Sequence, residues 1–396
     1  MRRLFLCAGL VAIVALTGCT QYDVLRIAGD ETEGRNNNTP GSALARSYIL
    51  GELKANAEGL DASQTGDAAY IQTFPSGTNL LAVIPGTDLA DEYVMVGAHY
   101  DHLGSSCRTN DPADTICNGA TDNTAGVAAL LAVARAIKGQ ATPPRRSIIL
   151  AVWDREEDGL LGSRYYTENP VVPLADTVGY VNFDIQGANL LPSLRNTTIA
   201  VAAETGGARF QEIVRNAANE QPLDTAMFSS IFGQNRSDYA SLISAGVPSV
   251  FFTDANGPCY HTAQDEYDVV DFYKLEQQTA TSLSVTRELA NTSTPPTFVG
   301  NAPLANFDDA LVFARVVNRA YVDRSRFSAE DQATIERVRD AAVKRVAEGR
   351  AAFNGDDIGP LLGDAAAMVS LLTHGSCDGF LVPSQQAAAM RRALGQ

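Results

Sequence analysis

Tyr93-Val94-Met95-Val96-Gly97-Ala98-His99-Tyr100-Asp101-His102-Leu103-Gly104 begins as an apolar run and ends on two histidines and a carboxylate. Residues 93–98 read as a buried strand, so His99 stands at a strand's carboxyl end. Outward from this stretch, the same alternation of strand and helix repeats. Toward the amino terminus lie a second apolar strand, Asn79–Pro85, and a helix from Ala43 to about Ala57. In the other direction, residues 123–137 carry Val127, Leu130, Leu131, Ala134 and Ile137 as a helical stripe that stops at Pro143-Pro144. Ser147–Trp153, Val178–Phe183 and Pro248–Phe252 are further apolar strands, and Gly206–Asn219 is another helical pattern. Apolar strands separated by helices predict an α/β fold, a three-layer αβα sandwich on an open, mostly parallel mixed sheet. In such sheets ligands bind outside the carboxyl ends of the strands. Beyond the break at Ser293-Thr294-Pro295-Pro296, residues 303–396 read as a helical C-terminal extension, with Ser328 as an N-cap and Ile335, Val338, Ala342 and Val346 on one face.

The 396 residues carry a net charge of −16, with 45 % hydrophobic side chains, enough to build a sizeable core. Such an acidic chain lacks the basic face that holds phosphate backbones, which argues against a nucleic-acid partner. The first 18 residues, with Arg2, Arg3 and an apolar run from Leu4 to Leu16, read as an export signal too short to span a bilayer. Leu16-Thr17-Gly18-Cys19 resembles a bacterial lipobox, which implies acylation of Cys19 and a lipid bilayer as partner. Thr20 in place of Asp points to the outer membrane, facing the periplasm. Residues 19–42, ending in GDETEGRNNNTPGS, read as a flexible tether. Once Cys7 and Cys19 are accounted for, Cys107, Cys117, Cys259 and Cys377 remain, an even number that predicts disulfides in an exported chain. The polar loop SSCRTNDPADTIC leads us to expect Cys107–Cys117, and with it Cys259–Cys377, which would clip the helical extension beside His261.

With four histidines in the chain, imidazole chemistry must draw on His99, His102, His261 and His374. Asp101 stands two residues after His99, where a carboxylate often supports a metal-bound imidazole. Asp122 precedes the 123–137 helix, Glu156 and Glu157 follow the 147–153 strand, and Asp184 follows the 178–183 strand. Each has an ordinary reading: a capped strand end, a helix N-cap, a solvated acidic turn. Taken together, two histidines and several carboxylates at successive strand ends supply the nitrogen and oxygen ligands that paired zinc ions favour, with one carboxylate left over as general base.

The segments His99-Tyr100-Asp101-His102-Leu103-Gly104, Asn118–Val127, Glu156–Ser163, Asn182-Phe183-Asp184 and Tyr260-His261-Thr262 together resemble the M28 family of zinc peptidases, the bacterial leucyl-type aminopeptidases among them. They occur in the family's order and span about residues 75 to 275, which places the peptidase domain at 43–292. The resemblance implies two Zn²⁺ ions, with Co or Mn as possible substitutes. Asp122 would bridge them, His99 and Asp184 would complete one, and Glu157 and His261 the other. It further implies Glu156 as general base, Asp101 as the orienter of His99, and peptides as substrates cleaved at the N-terminus. Ser237-Asp238 is similar to the family's Ser-Asp-His step, but Tyr239 stands where the His would be. Two alternatives share the fold: a single-zinc glutaminyl-peptide cyclase and a binding protein without metal. A serine hydrolase is disfavoured because no Gly-x-Ser-x-Gly elbow occurs, and Cys259 reads as a structural disulfide partner rather than a nucleophile.

Overall fold

The computed structural model describes residues 13–302, 304–375 and 377; the start of the export signal and the end of the helical extension lie outside them. Strands β1 (Glu58–Gly59), β2 (Ile71–Phe74), β3 (Gly77–Ile84), β4 (Leu89–His99), β5 (Arg146–Trp153), β6 (Thr177–Phe183), β7 (Thr197–Val201), β8 (Asp224–Phe228) and β9 (Ser249–Thr253) form one open sheet. Its order is β1-β3-β5-β4-β6-β9-β7-β8, with β2 paired to β3. The centre, β5-β4-β6-β9, is parallel. The sheet turns antiparallel at β3–β5 and β7–β9, while β7 and β8 at its far margin pair parallel again, so the sheet is mixed.

Every residue of β5 is buried, and its side chains divide by parity. Ile148, Leu150 and Val152 enter one core with Val94, Val96 and Val181, whereas Ile149, Ala151 and Trp153 enter the other with Met95 and Tyr180. A strand covered on both faces has no polar side to show, hence its uninterrupted apolar reading. Helices α1 (Ile13–Ile27), α2 (Pro40–Asn56), α3 (Ala125–Lys138), α5 (Gly207–Asn219) and α7 (Phe272–Asn291) cover the first face. The second is covered by α4 (Leu161–Glu168), which supplies Tyr166, and α6 (Tyr239–Ser244), which supplies Tyr239 and Leu242. No described helix is long and apolar enough to cross a membrane.

The expected tether at 19–42 is instead packed structure. Val24 and Ile27 of α1 are fully buried, and a short 3-10 turn at Asp30–Arg35 leads into α2. The polar composition misled because its polar groups are paired inside the protein. Asp23 receives two hydrogen bonds from Arg135 and one from Tyr48, and Thr39 caps α2 by accepting from the Ser42 amide, with Pro40 in the first turn. Cys19 lies in this packed helix with its thiol in a disulfide.

The helical extension has its own core. In α8 (Phe307–Ala320), α9 (Ala329–Glu348) and α10 (Gly355–Thr373), Phe313, Val317, Ile335, Val338, Ala342, Leu361 and Met368 pack together. Ser328 caps α9 as expected, and capping boxes at Asn306–Asp309 and Asn354–Asp357 start the other two helices. Disulfides Cys107–Cys117 and Cys259–Cys377 are both present, the second joining residues 118 apart. Closing so long a loop restricts the unfolded chain, so C377S should lower unfolding free energy by about 2–4 kcal/mol. Thermal unfolding of both proteins without reductant checks this; an unchanged midpoint would show that the extension is held by its apolar contacts alone.

Candidate metal centre

The parallel register brings the chemistry together. His99 pairs with Trp153 in the ladder, so β4 and β5 end level, and β6 ends beside them. From these ends the chain delivers His99, then Glu156 and Glu157 after a two-residue turn, then Asp184. The loop following β9 carries His261. Arg155, Ile185 and His261 all have positive φ, +58°, +56° and +54°, a backbone state that costs a non-glycine residue about 1–3 kcal/mol and tends to collect at functional sites.

Asp122 lies in the turn between Gly119 and α3 and is 3 % exposed. Its Oδ1 is 3.4 Å from His99 Nε2, and its Oδ2 is 3.3 Å from His261 Nε2. His99 Nε2 also lies 3.2 Å from Asp184 Oδ1, and His261 Nε2 lies 3.1 Å from Glu157 Oε2. One carboxylate therefore faces two histidine–carboxylate pairs, one through each oxygen. Zinc–ligand distances of about 2.0–2.1 Å give a tetrahedral edge of roughly 3.3–3.4 Å between ligand atoms. The observed separations, 3.1–3.4 Å, lie at or just below that edge, and the donor set is the nitrogen–oxygen mixture zinc accepts. The residues fit a pair of divalent ions.

His102 is close as well. Its Nδ1 is 2.7 Å from Glu157 Oε1, a hydrogen-bond length shorter than a ligand–ligand edge. Through this contact His102 holds Glu157; His102, Asp122 and Glu157 also lie close enough together to hold an ion, as do His99, Glu156 and Asp184. Asp101 also does more than its position in sequence indicated. Its main-chain oxygen, 3.2 Å from His99 Nδ1, is nearer that nitrogen than its carboxylate at 3.6 Å. The carboxylate instead accepts hydrogen bonds from the amides of Glu156 (3.0 Å) and Glu157 (3.3 Å), tying the β4 and β5 ends together.

Glu156 Oε2 stands 4.0 Å from His99 Nε2, farther than Asp122 (3.4 Å) or Asp184 (3.2 Å). Burial drives its carboxyl well above the usual range; His99 opposes this, while Asp184, Asp238 and Glu157 add to it. Burial would lower His261, but Asp122 and Glu157 outweigh it and raise the imidazole to about 10. The Tyr260 ring stacks on His261 at 3.8 Å. Burial and the surrounding carboxylates keep its hydroxyl protonated. Tyr239 is buried in α6, stacked on Phe251, and its hydroxyl accepts from the Asn235 amide rather than entering the cluster.

Asp265 was not anticipated in sequence. Its carboxylate accepts from Thr121 N (3.0 Å), Thr121 Oγ1 (2.8 Å) and Asp122 N (3.1 Å), pinning the turn that carries Asp122. The signal available was its place four residues after His261. Gly119 is equally constrained: at φ +52°, a Cβ there would lie 2.2 Å from Asp122 O and 2.5 Å from His102 Cδ2.

Comparison with known proteins bears on the fold and the family. A stretch of 167 residues is 32 % identical to leupeptin-inactivating enzyme 1 of Streptomyces exfoliatus, covering 41 % of this chain and 33 % of that one. The chain spans about a quarter to a third of the length of the first curated relatives it matches. Among solved structures, a Zn-dependent exopeptidase from Parabacteroides distasonis superposes with a TM-score of 0.56 at 21 % identity, covering 68 % of this chain and 97 % of that one. The glutaminyl cyclase of Bacteroides thetaiotaomicron gives 0.54 at 19 % identity over 68 % and 97 %. These likenesses show a shared fold. Residues 79–286, more than half of the sequence, match the profile of peptidase family M28, and the chain belongs to that family.

Proposed function

We propose that this protein is a dinuclear zinc exopeptidase that removes N-terminal residues from peptides. The observation that carries the reading is Asp122, whose two oxygens face separate histidine–carboxylate pairs while Glu156 is left over. His99, Asp122 and Asp184 would hold one ion, and Asp122, Glu157 and His261 the other. When bound, such ions lower the pKa of water and polarise a carbonyl. Glu156 takes the proton of the attacking water and returns it to the departing amine. Its amide is fixed by Asp101, so the carboxylate starts from a set position. Tyr260 offers an O–H donor beside the cluster, suited to the oxygen that gains charge during attack. The acidic cluster suits a substrate presenting a free α-ammonium group, which supports aminopeptidase over carboxypeptidase action. The cyclase alternative shares the fold and would use a single ion; two complete triads favour the dinuclear reading.

Hydrolysis of a panel of aminoacyl-nitroanilides, with and without chelator, tests the activity. We expect chelator-sensitive, zinc-restored turnover, and no cyclisation of N-terminal glutaminyl peptides; the reverse pattern would favour the cyclase. E156Q should retain two zinc ions per chain and lose a factor of about 10²–10⁴ in kcat. E157A removes a ligand and should lose metal as well. Wild-type kcat in E156Q would remove the proposed base.

We also propose that the exported chain is anchored through an acylated Cys19 in the outer membrane, facing the periplasm. The Leu16-Thr17-Gly18-Cys19 sequence supports this. Acylation and the disulfide at Cys19 are exclusive states of one sulfur. Because α1 is packed, an anchored chain would sit directly at the bilayer rather than hang from it. In the native host, wild type should fractionate with membranes and C19A should not; soluble wild-type protein would refute the anchor.

A further inference from the structure

Arg35 is fully buried, and among the described residues no carboxylate oxygen lies within 4.0 Å of its guanidinium. It spends its donors on main-chain carbonyls instead: Nε to Tyr100 O (2.8 Å), Nη1 to Ile27 O (3.1 Å) and Asn118 O (2.5 Å), Nη2 to Gly119 O (3.1 Å). Tyr100 follows ligand His99. Asn118 and Gly119 open the turn that carries Asp122. A single planar fork thus spans two loops that each supply a metal ligand. Burial brings the guanidinium down to about 10, against the pull of Asp122, Asp265, Asp101 and Glu157, so it stays cationic at neutral pH beneath an anionic cage.

Residues around Arg35 continue the contact. The amides of His102 and Gly104 donate to Arg35 O (3.4 Å) and Gly34 O (3.0 Å). Asn36 Nδ2 donates to Leu103 O, and Asn37 Nδ2 donates to Asp154 Oδ2 (2.8 Å), at the end of β5 just before Glu156 and Glu157. Gly34 sits at φ +64°, where a Cβ would meet Gly104 O at 2.5 Å and Cys117 O at 2.6 Å. At Gly34 the chain is pressed onto the neighbouring loops too closely for a Cβ.

We propose that residues 34–37 form a positioning strap for the metal centre, with Arg35 fixing the His99 and Asp122 loops relative to one another. This rests on the reading that the cluster binds two divalent ions. Because Asp122 is shared, loosening the strap weakens both sites. Arg35 touches no substrate and is a positioning residue.

The test compares R35K, which keeps charge but not the fork, and G34A, which displaces the strap without altering Arg35 or any ligand. R146K is the control: Arg146 is also buried and donates to Leu289 O and Thr292 O, as well as to Glu92 Oε2, but at the start of β5, away from the site. Zinc affinity is read by competition with a chromogenic chelator. Hydrogen exchange of the His102 and Gly104 amides is read in metal-free protein. We expect R35K and G34A to weaken zinc by about tenfold or more, the usual effect of removing a group that orients a ligand, and to speed exchange at both amides, with R146K within about twofold of wild type. If R35K fails to fold, G34A decides. Affinity within about twofold of wild type in the folded strap variants, or an equal loss in R146K, overturns the proposal. Wild type that takes up no zinc overturns the metal reading and the strap with it.

Discussion

The arrangement depends on holding one carboxylate, Asp122, between His99 and His261. Gathering Asp122, Glu156, Glu157 and Asp184 in a buried pocket is electrostatically unfavourable, because burial disfavours each charge and the charges repel one another. The surrounding structure resists that repulsion. Asp265 takes the Asp122 amide, Asn123 Nδ2 reaches Phe183 O on β6, and Arg35 grips the turn from beneath. These bonds come from three separate parts of the chain: the β9 loop, the sheet and the N-terminal segment.

Much of this was legible in sequence, for a physical reason. β4, β5, β6 and β9 are central and covered on both faces, so each announces itself as an apolar run, and His99, Glu156, Glu157 and Asp184 stand at or just beyond the ends of the first three. β7 and β8 were not seen. Thr197-Thr198 and Asp224-Thr225 dilute their apolar content, and β8 lies at the sheet's margin with only one neighbour. Ser328 and the α9 stripe were readable because a cap and a 3.6-residue period are local signals.

What escaped was what depends on distant pairing. Arg35 sits among Gly, Glu and Asn, a composition that reads as solvated chain, and its partners are 65 to 84 residues away at Tyr100, Asn118 and Gly119. The same blindness turned a packed segment into an expected tether. His102 and Asp265 lay beside recognised residues, but their contacts with Glu157 and with the Asp122 turn are visible only in the folded chain. Tyr239 shows the converse, since its neighbours suggested the site while its ring belongs to the core.

The central claim is that Asp122 is shared between two ions. Diffraction from zinc-loaded crystals, recorded above and below the zinc absorption edge, tests it directly. The account predicts two anomalous peaks, one beside each Asp122 oxygen, the first bounded by His99 and Asp184 and the second by Glu157 and His261. One peak alone, or two that do not share Asp122, would contradict it.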